Sequence, residues 1–145
     1  MHFTILYIME DEKIENLSYG SVEEEFSNQF CDCCGEVEPP CPICDWFQIG
    51  GRWNDILWAT KGIKGEPSWG DTHETGPKQF SIAEIRNLIK EINIDNIHGV
   101  ASRDEGKCWE EGWGTGEKSS IVAEYINKIN KKEIKGCVAL IDCHD

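Results

Sequence analysis

The sequence predicts an α+β fold in which two main helices pack on one face of a mainly antiparallel sheet, with an irregular cysteine-rich insert. Three observations predict it. Apolar runs near both ends of the chain are typical of buried strands, two segments carry apolar residues at helical spacing, and residues 31–80 are rich in Gly, Pro, Trp and Cys with little periodicity. A length of 145 residues indicates one domain, 1–145.

The first half of the chain begins with a predicted strand in "HFTILYIM" (2–9), where apolar, β-branched and aromatic residues are bounded by charges. Ser21 and Glu24 then form an S-x-x-E pattern that is typical of a helix start. The sequence therefore predicts a short helix from Ser21 that leads into the cysteines.

The second half predicts two helices and three strands. Ser81 heads another S-x-x-E pattern, and a helix is expected there because the following apolar residues share one helical face: Ile82, Ile85, Leu88, Ile89 and Ile92. Residues 98–109 predict a hairpin that turns through Asp104, Glu105 and Gly106. A last helix is expected from the spacing of Ile121, Val122, Tyr125, Ile126 and Ile129, and "CVALIDCHD" closes the chain as a buried strand.

The charge of the chain restricts its partners. With 14 basic and 27 acidic residues the formal net charge is -13, which repels nucleic acid and anionic membranes. Any bound phosphate must therefore meet a local positive patch. The acidity is interpreted mainly as an aid to solubility, and imitation of DNA stays open because acids cluster at 10–12 and 23–25.

The chain carries no signal for a membrane or for export. No apolar run approaches the roughly 18 residues that a membrane span needs. The stretch "MHFTILYIMEDEK" has neither a basic region before it nor a small-residue cleavage site after it. We therefore expect a cytoplasmic protein, in the host cell if a phage encodes it.

Five of the eight cysteines lie in "CDCCGEVEPPCPIC" and predict a zinc-knuckle-like insert at 31–44. Cys31 and Cys34 form one C-x-x-C pair, and Cys41 and Cys44 form another. Four thiolates in a tetrahedron suit a structural zinc ion, and a cytosolic chain rarely forms disulfides. Cys33 is a competing ligand, and unliganded or redox-active thiols are the alternative.

The segment "DWFQIGGRW" (45–53) combines aromatic residues, glycines and an arginine and predicts a ligand pocket. Glycines let backbone amides approach a ligand, a guanidinium matches phosphate, and indoles stack on bases. "GWGTGEKSS" (112–120) adds glycines before a helix, where free amides could receive an anion, and a glycine-rich turn without a ligand is the alternative. Tryptophans that only fill a loop-rich core are the alternative. The candidate ligand-binding residues are Trp46, Gly50, Gly51, Arg52, Trp53, Arg103, Trp113 and Gly114.

Two histidines near the chain ends are candidates for acid–base chemistry. If the first and last strands pair antiparallel, His2, His144 and Asp142 share one end of the sheet. "HFTI" matches one half of the H-x-[ST]-x pattern of two-histidine phosphodiesterases, in which one histidine acts as base and the other as acid. The second half of the pattern is missing, and solvated terminal histidines are the alternative. The sequence alone does not make the protein an enzyme.

The chain resembles a group of small proteins of phages and their bacterial hosts. These share a D-W-[FY]-x-I-G-G-R-W segment, a later glycine and tryptophan segment and a closing D-C-H, which correspond here to Asp45–Trp53, Trp109–Gly116 and Asp142–His144. The resemblance implies a phage or mobile-element context, in which small proteins often counter host defence.

That context leads to three hypotheses of function. The first is a sponge that sequesters a nucleotide-derived immune signal, such as a cyclic ADP-ribose or a cyclic dinucleotide. The sequence does not decide whether such a sponge is a homo-oligomer that buries the ligand between its subunits. The second is an enzyme that cleaves such a signal with His2 and His144. The third is an acidic inhibitor of a host defence protein.

Overall fold

The computed structural model describes residues 2–31, 44–52, 56–67, 79–110 and 120–144. The protein is α+β, with a mainly antiparallel sheet and two helices. In chain order the elements are β1 (His2–Glu10), α1 (Tyr19–Phe30), β2 (Trp46–Gly51), β3 (Leu57–Trp58), β4 (Glu66–Pro67), β5 (Gln79–Phe80), β6 (Ile82–Glu84), β7 (Gly99–Ser102), β8 (Lys107–Glu110), α2 (Ser120–Asn130) and β9 (Gly136–His144).

The main sheet has the order β4-β2-β9-β1-β7-β8, and β9 is its centre. Strand β1 pairs antiparallel with β9 over its full length, from His2 opposite His144 to Glu10 opposite Gly136. Strands β2 and β6 share the other edge of β9, one after the other. The predicted antiparallel pairing of the first and last strands is therefore confirmed. Among the described strands, β1 with β7 and β2 with β4 are the parallel pairs of this sheet.

The two helices lie on opposite faces of the sheet, and the expectation of one shared face is wrong. Phe3, Ile5, Tyr7 and Met9 pack with the buried residues of α1, which are Val22, Phe26 and Phe30. Leu6 and Ile8 pack with those of α2, which are Val122, Ile126 and Ile129. Successive strand residues point to opposite faces, so each helix covers one face. Continuous apolar runs in β1 and β9 are what burial on both faces requires.

The helix predicted from Ser81 does not form, although the whole segment is described. Residues Ile82–Glu84 form β6 and pair with Ala139, Val138 and Cys137 of β9, and a single 3₁₀ turn follows at Ile85–Asn87. Ile82 packs on the α1 face, whereas Ala83 and Ile85 pack on the α2 face. The apolar residues that matched helical spacing are therefore divided between both sides of the sheet.

Helix α1 begins earlier than predicted. Ser18 is its N-cap, and Ser21 is the third helical residue, which closes a reciprocal capping box. The Ser21 amide donates to Ser18 Oγ at 3.1 Å, and the Ser18 amide donates to Ser21 Oγ at 2.9 Å. The predicted hairpin, the last helix and the closing strand are confirmed as β7–β8, α2 and β9.

The predicted insert is described only at its ends. Residues 32–43 lie outside the described ranges, and Cys31 and Cys44 form an isolated parallel bridge. No helix among the described elements is long and apolar enough to cross a membrane.

Candidate functional site

Three strands bring polar side chains together at the end of the sheet where β1 begins and β9 ends. His2 is opposite His144, and Thr4 is opposite Asp142. Trp46 and Gln48 of β2 are the partners of His144 and Asp142 on the other side of β9. Register partners point to the same face, so these six side chains extend the α2 face of the sheet beyond its apolar core.

Asp142 is the buried centre of this group, with no exposed surface. Its Oδ1 lies 2.8 Å from His2 Nδ1, and its Oδ2 accepts the backbone N–H of Arg52 at 2.9 Å. A buried carboxylate must be hydrogen-bonded to be tolerated, and here both oxygens have a donor. With Asp142 ionised, the His2 proton is held at Nδ1, and Nε2 carries the lone pair.

Gly51 makes the approach of Asp142 possible. Its φ is +53°, and a Cβ at this position would lie 2.4 Å from Asp142 Oδ2 and 2.5 Å from Asp142 Cβ. Gly50 also has a positive φ, of 88°. The two glycines therefore end β2 in a backbone shape that aims the Arg52 amide at the carboxylate.

Three rings lie next to one another at this end of the sheet. The ring centroids of His2 and His144 are 5.0 Å apart, and Trp46 lies 6.2 Å from His2 and 6.3 Å from His144. His144 Nδ1 is 3.4 Å from Asp45 Oδ1 in an exposed contact. Both imidazoles thus turn Nδ1 towards a carboxylate. We call His2, Asp45, Trp46, Asp142 and His144 the histidine cluster.

The residues predicted to bind a ligand are only partly brought together. Trp46, which is 46% exposed, belongs to the histidine cluster, and the exposed Arg52 adjoins it through its backbone bond to Asp142. The Arg52 guanidinium forms no ion pair with any residue that the structure describes. Trp53, Trp113 and Gly114 lie outside the described ranges.

Arg103 does not join the histidine cluster. Its guanidinium lies 3.4 Å from Glu12, 3.8 Å from Glu25 and 3.4 Å from Asp104, and it donates to the Glu10 carbonyl. Glu10 and His2 are at opposite ends of β1, which spans roughly 26 Å at the usual rise per residue. Three carboxylates already surround this cation. Because the length of β1 separates it from the histidine cluster, Arg103 cannot bind the same ligand group as Arg52.

Thr4 is the hydroxyl residue of the H-x-[ST]-x match, and its neighbour His98 carries no signal in a single sequence. Thr4 donates its backbone N–H to His98 Nδ1 at 2.9 Å, and the His98 amide donates to the Thr4 carbonyl at 2.9 Å. The Thr4 hydroxyl is buried and has no hydrogen-bond partner among the described residues. His98 becomes a neighbour of β1 only through the parallel pairing of β7, which the sequence does not reveal.

The predicted zinc site has two of its four cysteines within the described ranges. Cys31 and Cys44 are buried beside each other, as a four-thiolate site requires of its first and last ligands. Cys34 and Cys41, like the competing Cys33, lie outside those ranges. No group of three or more His, Cys, Asp or Glu residues in the described part of the chain could hold a metal ion. Structural zinc stays a prediction.

The three cysteines outside the predicted insert are mostly buried. Cys137 and Cys143 are fully buried, and Cys108 is half-buried. Burial, followed by the neighbouring Cys44 thiol, raises the pKa of the Cys143 thiol well above its usual value. Cys143 is therefore an unreactive thiol at neutral pH.

No protein-family model, no curated protein and no solved structure matches this chain.

Proposed function

We propose that this protein binds a nucleotide-derived immune signal at the histidine cluster and sequesters it, as a phage counter-defence protein. One observation carries the proposal: Asp142 bonds both the His2 imidazole and the backbone N–H of Arg52, so the exposed residues Arg52 and Trp46 lie at the same end of the sheet as His2. A flat base stacks on an indole, and a guanidinium donates to a phosphate. The phage context comes from the resemblance in sequence.

The charge of the chain supports a specific role for Arg52. In a protein of net charge -13, a guanidinium that no described carboxylate neutralises is available to an anion. Arg103, which three carboxylates surround, is not.

The test of binding is native mass spectrometry of the purified protein with a pool of cyclic dinucleotides and cyclic ADP-ribose. We expect an adduct that heat releases with unchanged mass. Arg52→Ala should abolish the adduct and leave the thermal unfolding midpoint unchanged, because the Arg52 contact to Asp142 is made by the backbone. Lys107→Ala removes an exposed cation from β8 and is the matched control. Equal binding by wild type and Arg52→Ala contradicts the role of Arg52.

A second candidate, cleavage of the same signal, is favoured by the geometry of the two histidines. His2 has the arrangement of a general base, since Asp142 holds its Nδ1 and leaves Nε2 to accept a proton from water. The hydroxide joins phosphorus, the phosphodiester P–O bond breaks, and protonated His144 gives its proton to the leaving oxygen. The ring centroids of His2 and His144 are 5.0 Å apart, which supports a base and an acid that act on one phosphodiester.

Cleavage and sequestration differ in the released ligand. A hydrolysed product is heavier than the cyclic signal by one water, and its formation should disappear in His2→Gln and in His144→Gln while the adduct remains. An unchanged mass from wild type contradicts cleavage. A changed mass that persists in both variants contradicts the assigned roles of the histidines.

A further inference from the structure

A pocket lined by charged side chains lies at the opposite end of the sheet from the histidine cluster. It has a volume of about 430 Å³ and adjoins Gly136, the first residue of β9. Its charged lining residues are Lys13, Arg86, Lys132, Lys135, Glu12 and Glu84. We call this the cationic pocket. Gly136 is the β9 partner of Glu10, so the length of β1 separates this pocket from His2.

The charge of the cationic pocket is opposite to that of the chain. Four of the 14 basic residues line it, together with two of the 27 acidic residues, which gives an excess of two positive charges. A patch of average composition would be negative in a protein of net charge -13. Like charges repel, so the clustering of cations in one pocket has an electrostatic cost that an anionic ligand removes.

Glu84 orders part of this pocket. It is only 4% exposed, its Oε1 accepts the Ile14 amide at 3.0 Å, and its Oε2 is paired with Arg86 Nε. The guanidinium is thus fixed through Nε, while its side chain is 72% exposed overall and its two terminal nitrogens keep their donors. Lys132 Nζ donates to the Arg86 carbonyl at 3.3 Å, which brings a second cation beside the first.

The remaining charges leave the cations largely uncompensated. Lys13 and Lys135 form no ion pair with any residue of the described ranges. Glu12 lies 3.4 Å from Arg103, so part of its charge is already neutralised. Of the four cations of the pocket, Arg86 is the one that forms an ion pair with Glu84 in the described ranges.

We propose that the cationic pocket binds the phosphate groups of a phosphorylated small molecule, independently of the histidine cluster. Its volume lies within the range of ligand pockets, about 300–1,000 Å³. A fixed guanidinium with several ammonium groups suits a ligand that presents more than one phosphate, since each anionic oxygen accepts a charge-assisted hydrogen bond. A single phosphate would leave some of the four cations unused.

The experiment is calorimetric titration of the whole protein with inorganic pyrophosphate at low ionic strength. Arg86 is left in place because its removal would strand the buried Glu84. Lys132→Gln with Lys135→Gln removes two exposed cations, and Lys64→Gln with Lys107→Gln makes the same charge change at exposed lysines outside the pocket. Thermal unfolding of each variant checks that it is folded.

We expect the pocket variant to bind pyrophosphate at least ~10-fold more weakly, since a hydrogen bond to a charged group contributes roughly 1.5–3 kcal/mol. The control variant should bind within about twofold of wild type, because distant exposed charges are screened. Arg52→Ala should leave this binding unchanged. No binding by wild type, equal weakening in both double variants, or loss only in Arg52→Ala overturns the proposal, and the last outcome would place the phosphate at the histidine cluster.

Discussion

Gly51 and Gly106 show how much one missing methyl group matters in different surroundings. Both have a left-handed φ, of 53° and 64°. A Cβ at Gly51 would meet the Asp142 side chain at 2.4 Å, whereas a Cβ at Gly106 would have no atom within 4 Å. The pair therefore separates the cost of backbone strain from the cost of displacing Asp142.

We expect Gly106→Ala to lower the free energy of unfolding by about 1 kcal/mol, which is the cost of a left-handed alanine. Gly51→Ala should lower it by at least ~2 kcal/mol, because a steric clash in a packed site adds to the same strain. Urea unfolding of both variants measures the difference. Equal losses for the two variants would mean that Asp142 moves aside freely, and this result would contradict a rigid histidine cluster.

The residues of the histidine cluster were foreseen to different degrees. The sequence predicted His2, His144 and Asp142 as a group because opposite ends of two long apolar strands meet when those strands pair antiparallel. It did not predict that Gly51 and the Arg52 backbone would complete the group. That arrangement needs β2 beside β9, and "DWFQIGG" has the glycines and mixed polarity of a loop.

At the scale of elements, helix α1 has a start that the sequence placed one turn late. Ser18, Ser21 and Glu24 all fit an N-terminal pattern, and the sequence alone prefers the pair that ends in glutamate. In the structure Ser18 is the N-cap, because Ser18 and Ser21 exchange reciprocal hydrogen bonds between side chain and backbone. Both starts would place Val22, Phe26 and Phe30 in the helix, so the buried stripe alone does not decide between them.

Ser18→Ala should lower the free energy of unfolding by about 1 kcal/mol, since it leaves the Ser21 amide without its side-chain acceptor. Ser21→Ala removes the bond from the Ser18 amide and the bond that the Ser21 hydroxyl donates to the Ser18 carbonyl, and we expect a smaller loss because the Ser21 amide keeps its acceptor. Chemical denaturation of the two variants makes the comparison. A neutral Ser18→Ala beside a costly Ser21→Ala would instead support the start at Ser21.

Segment 81–92 shows the limit of hydrophobic periodicity. Its apolar spacing matches a helix, yet Ile82 is buried on one face of the sheet and Ala83 on the other. A short strand that is covered on both faces has no alternation to detect. Its assignment depends on the free edge of β9 beyond β2, which is a property of the assembled sheet.

At the scale of the whole molecule, ionisable groups packed on both faces of the sheet make the free energy of unfolding depend on pH in the alkaline range. Burial, assisted by the charge of Glu84, raises the pKa of Cys137 from 9.0 to about 12. On the other face, burial and the hydrogen bond to Glu105 raise the pKa of Tyr125 from 10.0 to about 12. The pKa of Tyr7, buried against α1, is raised as well.

These groups keep their protons in the folded state while the unfolded chain loses them. Between pH 9 and about 12 the unfolded state therefore binds fewer protons, and the free energy of unfolding falls as the pH rises. Below pH 9 the contribution is fully present. We expect these groups to leave the urea concentration at the unfolding midpoint unchanged from pH 7 to 9 and to make it decline steeply above pH 9.

Tyr125→Phe tests this account because it removes the ionisable hydroxyl and keeps the ring that packs 5.3 Å from Trp109. At pH 8 we expect the variant to be only slightly less stable than wild type, because it lacks the hydrogen bond to Glu105. Between pH 10 and 12 its free energy of unfolding should fall less than that of wild type. Tyr7→Phe should act in the same direction and at higher pH. Parallel declines in wild type and both variants would mean that repulsion among the many carboxylates, rather than these buried groups, governs alkaline unfolding.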